Sequence, residues 1–312
     1  MRPLVTSRWA RLARALAVAA PLAACDHAPG ARASPGKTTP VATLAARGAP
    51  GDAADASAAP ARSSAPLDPD GGDASGGSHA SLASLAPLAS SEPLVALAVA
   101  PFRDAIVSLP VGATSARPVV VAAHGNYDRP EWQCGVWRGI VGDRAFVLCP
   151  RGIARTDSPG PDDVRFTFAG VEALAREIDA GLAALRARFG PHVAEGPMLY
   201  AGFSLGAILG VPFAARDPSR FPRAVLVEGG HDAWTAAVAR GYRARGGRRV
   251  LFACGQPGCV VDAKPAAARL VKAGVETRTV LGPGVGHGYD GPVAAEVGRA
   301  LDWLLDGDAL WR

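Results

Sequence analysis

The sequence predicts an α/β fold over residues 93–312: a mostly parallel sheet with helices on both faces and no large cap domain. Two observations predict it. Six apolar runs of strand length alternate with stretches of helical period, as in a chain of βα units. The runs are apolar at almost every position rather than at every second one, so both faces of the sheet are covered. A chain of 312 residues, 49% of them apolar, is long enough to bury such a core.

Ahead of that domain, residues 1–24 carry Arg2, Arg8, Arg11 and Arg14, no acid, and the apolar stretch Ala15-Leu16-Ala17-Val18-Ala19-Ala20. This reads as a removable export signal, too short to span a bilayer as a helix. Its end, Leu22-Ala23-Ala24-Cys25, resembles the lipobox of bacterial lipoproteins. That resemblance implies a diacylglyceryl group on Cys25, a membrane as partner through that lipid anchor, and an envelope location, periplasmic or cell-surface. Without the leader the chain keeps 29 basic against 28 acidic residues, so no nucleic-acid partner is expected. Residues 25–92 read as a disordered tether: 45 of the 67 from Asp26 to Glu92 are Ala, Pro, Gly or Ser, and none is aromatic, Ile or Met. Leu82 to Leu97 has the composition of a short helix, opposed by Pro87 and Pro93.

Within the domain the elements follow in order. An antiparallel strand is compatible with Ala105–Leu109. Strands are predicted at Pro118–Ala123, Ala145–Cys149, Met198–Phe203, Ala224–Glu228, Val250–Cys254 and Glu276–Leu281. Helices are predicted at Glu131–Val141, Gly170–Phe189, Leu205–Arg216, Ala233–Tyr242, Ala263–Ala273 and Pro292–Leu305. The second is the clearest, with Val171, Leu174, Ala175, Ile178, Leu182, Leu185 and Phe189 on one face. About 20 residues separate Glu228 from Val250, room for one helix and no cap. The longest irregular stretch, Ile153–Phe168, is rich in Asp, Pro and Arg, and is the expected specificity element.

Gly202-Phe203-Ser204-Leu205-Gly206 stands between a strand-like and a helix-like run. A serine in such a sharp turn projects its hydroxyl above the sheet, beside a helix N-terminus that favours an oxyanion. A strand also ends in His124-Gly125-Asn126, and His287 lies in the loop between the last strand and the last helix. In these motifs residues 95–306 resemble the α/β-hydrolase family, and with Cys149-Pro150-Arg151-Gly152 the small esterases of the dienelactone-hydrolase and polyhydroxyalkanoate-depolymerase type. The resemblance implies Ser204 as nucleophile, His287 as general base and an acid to orient the imidazole. It implies an oxyanion hole from the N–H of Leu205 and one from the His-Gly loop, at Asn126 or Gly125. It also implies an ester substrate, extended or polymeric where the site is uncapped, with neither cofactor nor metal. A prolyl-oligopeptidase-like peptidase and a non-catalytic envelope binding protein are the alternatives.

The acid departs from the family pattern, because Gly258 stands where relatives carry Asp. Glu228, at the end of an apolar strand, is the first candidate. Asp262, whose plain role is a helix N-cap, and Asp232 are the alternatives. Removing Cys25 leaves four cysteines, an even number that suggests two disulfides in an exported chain; neighbours in sequence pair as Cys134–Cys149 and Cys254–Cys259. Among other histidines, His27 and His79 fall in the tether and His192 in a surface loop. His124 is expected to fix the oxyanion loop, and His231 to pack a loop or touch substrate. Trp132, Trp137 and Trp234 read as core residues, one of them lining the substrate pocket.

Overall fold

The computed structural model describes residues 84–311. The expected leader, Cys25 and the tether up to residue 83 lie outside them.

Eight strands form one sheet in the order β1-β2-β4-β3-β7-β8-β9-β10. They are β1 (Leu94–Leu97), β2 (Ala105–Ser108), β3 (Val119–Ala123), β4 (Phe146–Cys149), β7 (Leu199–Phe203), β8 (Arg223–Val227), β9 (Arg249–Cys254) and β10 (Glu276–Leu281). From β4 to β10 every pairing is parallel, and β1 and β2 add an antiparallel edge. The short pair β5 (Ile153–Ala154) and β6 (Phe166–Thr167) forms a separate hairpin inside the Asp/Arg-rich loop.

Alternation along each strand sends side chains to two apolar cores. Val119, Val121 and Ala123 pack with α2 (Val171–Phe189), α3 (Leu205–Ala214), α4 (Ala236–Ala244) and α5 (Pro257–Lys272). Val120 and Ala122 pack on the other face, under α1 (Pro130–Val141) and α6 (Gly291–Leu305). The connection from β8 to β9 holds α4 alone, so among the described residues it carries no cap domain.

Three expectations are corrected. Residues 94–97 form strand β1 rather than the end of a helix, because pairing with β2 satisfies a backbone that Pro93 would disrupt in a helix. The tether stops short of residue 92: the N–H groups of Leu85 and Leu88 donate to Thr114 and Ala113, and Leu88 is buried. Helix α5 begins at Pro257 rather than at Ala263, with proline in the first turn, where a missing N–H costs nothing. The disulfides are Cys134–Cys149, tying α1 to β4, and Cys254–Cys259, tying β9 to the first turn of α5.

Candidate active site

Ser204 sits between β7 and α3 with φ 48°, ψ −112°, a left-handed backbone for a residue with a Cβ. Its N–H is tied to the carbonyl of Val227 in β8, which holds the turn in place. The turn is possible only because its neighbours are small: a Cβ on Gly206 would stand 2.2 Å from the Ala123 carbonyl oxygen. So α3 is pressed onto the end of β3, and the hydroxyl is left half-exposed above the sheet.

His287 Nε2 lies 2.9 Å from Ser204 Oγ, and its Nδ1 lies 3.1 Å from Glu228 Oε2. A carboxylate can only accept, so Nδ1 carries the proton and Nε2 takes the serine hydroxyl hydrogen. Glu228 follows β8 with φ 52°, its side chain only 3% exposed. Its Oε1 accepts the N–H groups of Gly255 (2.6 Å) and Gln256 (3.1 Å), and Oε2 also accepts Gln256 Nε2 (2.9 Å). Asp262 and Asp232 do not join this cluster. Asp262 is not an N-cap but an exposed residue inside α5, because that helix starts five residues before it. Asp232 has a 99% exposed side chain against His231 Nδ1 at 3.2 Å.

The loop after β3 faces Ser204 across Gly125, where a Cβ would stand 3.3 Å from the serine Cβ. Asp128, unnoticed in the sequence, is buried and organises this loop. Its Oδ2 accepts the Gly125 N–H at 3.3 Å, and its Oδ1 accepts the Arg129 N–H at 2.7 Å and the Tyr289 hydroxyl at 3.2 Å. The Gly125 N–H is therefore engaged, which removes Gly125 from the oxyanion-hole candidates. Among the described residues the N–H groups of Asn126 and Leu205 have no such acceptor. His124 lies beneath, its ring nitrogens 2.7 and 2.9 Å from the carbonyl oxygens of Gly125 and Arg151, its ring stacked on Phe168. Burial pushes the Asp128 carboxyl above its ordinary range, only partly offset by His124 and by its hydrogen bonds. Burial and the neighbouring Asp128 also hold the Tyr289 hydroxyl protonated, as a donor.

No family model matches the chain, and no curated protein matches it. Solved structures do. The chain is similar to TT1662 from Thermus thermophilus, at 16% identity and TM-score 0.51, over 69% of this chain and 98% of that one. It is also similar to esterase PE8 (18%, TM-score 0.47, 62% and 94%) and to the fluorophosphonate-binding serine hydrolase FphF of Staphylococcus aureus (12%, TM-score 0.48, 69% and 100%). The fold is that of the α/β-hydrolases. At these identities the likeness is one of fold, and the chemistry rests on the side chains.

On this hydrolase fold a cavity of about 450 Å³ opens beside His287, lined by Asn126, Trp132, Val136, Phe203 and Tyr289 among others. Trp132 is 44% exposed and forms its rim, whereas Trp137 and Trp234 are buried in the core. Arg165, from the Asp/Arg-rich loop, lies over both Trp132 (4.3 Å) and Tyr127 (5.5 Å) and pairs with Asp163 at 2.8 Å. Arg155 of the same loop donates to the Asn126 side chain at 2.7 Å. The loop thus packs against Tyr127, Trp132 and the Asn126 side chain, three residues that line the cavity.

Proposed function

We propose that the chain is a serine hydrolase that cleaves carboxylic esters through an acyl-enzyme on Ser204. The observation that carries this reading is the continuous relay from the Ser204 hydroxyl through His287 to Glu228, beside two N–H groups without acceptors. In the first half-reaction Ser204 Oγ attacks the acyl carbon while His287 Nε2 takes its proton, and the N–H groups of Leu205 and Asn126 receive the oxyanion. Collapse breaks the acyl–oxygen bond, and the proton on Nε2 leaves with the alcohol. Water then attacks the acyl-enzyme by the same route, regenerating Ser204. Glu228 keeps accepting the His287 Nδ1–H and stabilises the imidazolium that forms.

The uncapped strand ends support extended or polymeric esters over a sealed small substrate. The cavity's apolar and aromatic wall supports an uncharged group beside His287. The leader motif supports attachment to a membrane through a lipid on Cys25. A chain-length series of p-nitrophenyl esters, assayed with wild type and Ser204→Ala, tests the chemistry. The substitution is expected to lower kcat by roughly four to six orders of magnitude and to abolish fluorophosphonate labelling. Near-wild-type turnover in Ser204→Ala would overturn the assignment.

A further inference from the structure

No Lys or Arg among the described residues pairs with Glu228. Among the described residues its partners are His287 and three N–H donors, all three from the two residues Gly255 and Gln256. Those residues lie at the N-terminus of the 16-residue helix α5, whose dipole favours a carboxylate there. The same short loop reaches the base. A Cβ on Gly255 would stand 2.2 Å from the carbonyl oxygen of Gly286, the residue before His287, so backbone lies directly on backbone. The Cys254–Cys259 bridge closes this loop with the two Cα atoms 5.6 Å apart, and a Glu228 carboxylate oxygen and both Sγ atoms lie within 4.8 Å of one another.

Two of the three donors are main-chain N–H groups, which point at Glu228 only while the turn keeps its shape. The third, Gln256 Nε2, binds the same carboxylate oxygen as the imidazole, so it fixes which way that oxygen faces. A glutamate needs such a receptor more than an aspartate does, because it has one more rotatable bond to hold.

We propose that Gln256 is a positioning residue for the acyl-transfer steps, and that the Cys254–Cys259 bridge makes this positioning, and with it turnover, depend on thiol oxidation state. A dithiol reductant supplies two electrons and two protons. The S–S bond becomes two thiols, and the reductant closes to its own cyclic disulfide. The loop then loses its covalent closure, and the Gly255 and Gln256 donors leave Glu228. The proposal rests on the serine-hydrolase reading and goes beyond it to the control of the site.

The test uses the full chain with a p-nitrophenyl ester, recording kcat, KM and the pH profile, the downfield proton resonance of His287 Nδ1–H, and the unfolding midpoint. Gln256→Ala is expected to lower kcat about tenfold with KM within twofold, to displace the downfield resonance and to move the acidic limb of the profile to higher pH. Less donation to Glu228 leaves more negative charge facing the imidazole, so His287 holds its proton longer. Gln256→Glu moves the limb further in the same direction. Cys254→Ser/Cys259→Ser, which lacks only this bridge, is expected to show the same kcat loss and to ignore the dithiol. Wild type loses turnover as thiol titration shows the bridge opening, and regains it on reoxidation. A Gln256→Ala enzyme with unchanged kcat, limb and resonance, or a wild type with full turnover after the bridge has opened, overturns the proposal while ester cleavage still stands. A wild type that neither cleaves esters nor labels with fluorophosphonate overturns the hydrolase reading, and this proposal with it.

Discussion

At Glu228 a buried carboxylate coincides with a left-handed backbone, a combination that costs stability and persists where surrounding structure holds it. Glu228→Gln is expected to fold normally and to lose at least about a hundredfold in activity, because an amide offers His287 no charge and can present the wrong hydrogen-bonding group. If Glu228→Gln stays active while Asp262→Asn is dead, the acid lies on α5 instead. Asp128 makes a different case. Burial raises its pKa above the ordinary 3.8, so the folded protein binds that proton more tightly than the unfolded chain does. Its contribution to stability is then complete at low pH and is lost as pH rises through the folded value. The thermal midpoint of Asp128→Asn should therefore gain on wild type from about pH 4 up to that folded value, and then level off. A gap that stays constant with pH would show that the carboxyl is not held uphill. Neither role was legible beforehand in full. The strand-ending Glu228 stood out, whereas Asp128 and Gln256 sit in turns where polar residues are ordinary.

Among the elements, the long helix α2 follows from its hydrophobic period alone, whereas β7 and α3 are apolar nearly throughout and are told apart by the Gly-Phe-Ser-Leu-Gly turn between them. Others were harder to read. The run Gly255-Gln256-Pro257-Gly258 has the composition of a turn, yet Pro257 and Gly258 open α5, because proline suits a first helical turn and the bridge to Cys254 secures the start. Leu94–Leu97 needed β2 alongside to become a strand. The Cys134–Cys149 bridge joins α1 to β4 with both cysteines buried. Its loop of 15 residues is expected to contribute about 3 kcal/mol by restricting the unfolded chain. Cys134→Ala/Cys149→Ala should therefore lower the denaturant midpoint by that equivalent while leaving the specific activity of folded protein within twofold. A fall in activity at unchanged stability would instead mean that the bridge shapes the site.

On the scale of the molecule, the site collects at the carboxyl ends of β3, β7, β8 and β9 and in the loop after β10, where a parallel sheet leaves its turns together. With α4 alone between β8 and β9, the hairpin loop between β4 and α2 is the irregular segment that packs against the cavity residues Tyr127 and Trp132. No helix of the described residues is long and apolar enough to cross a membrane. The attachment proposed through Cys25 is tested separately: Cys25→Ala is expected to move the protein from membrane to soluble fractions. Persistent sedimentation with membranes would remove the lipid anchor from the account.

The sequence by itself determined the layered α/β architecture and singled out Ser204 and His287 as candidates. Each of these is written in a few consecutive residues, as a hydrophobic period or as a serine between glycines at a strand's end. That Glu228 rather than Asp262 or Asp232 meets His287, that among the described residues the N–H groups of Asn126 and Leu205 lack acceptors, and that Gln256 donates to Glu228 are visible only in three dimensions. Glu228 meets Gln256 across 28 residues of chain and His287 across 59, distances at which no local pattern survives. They come together because neighbouring parallel strands, laid side by side at about 5 Å, bring their carboxyl ends to one edge.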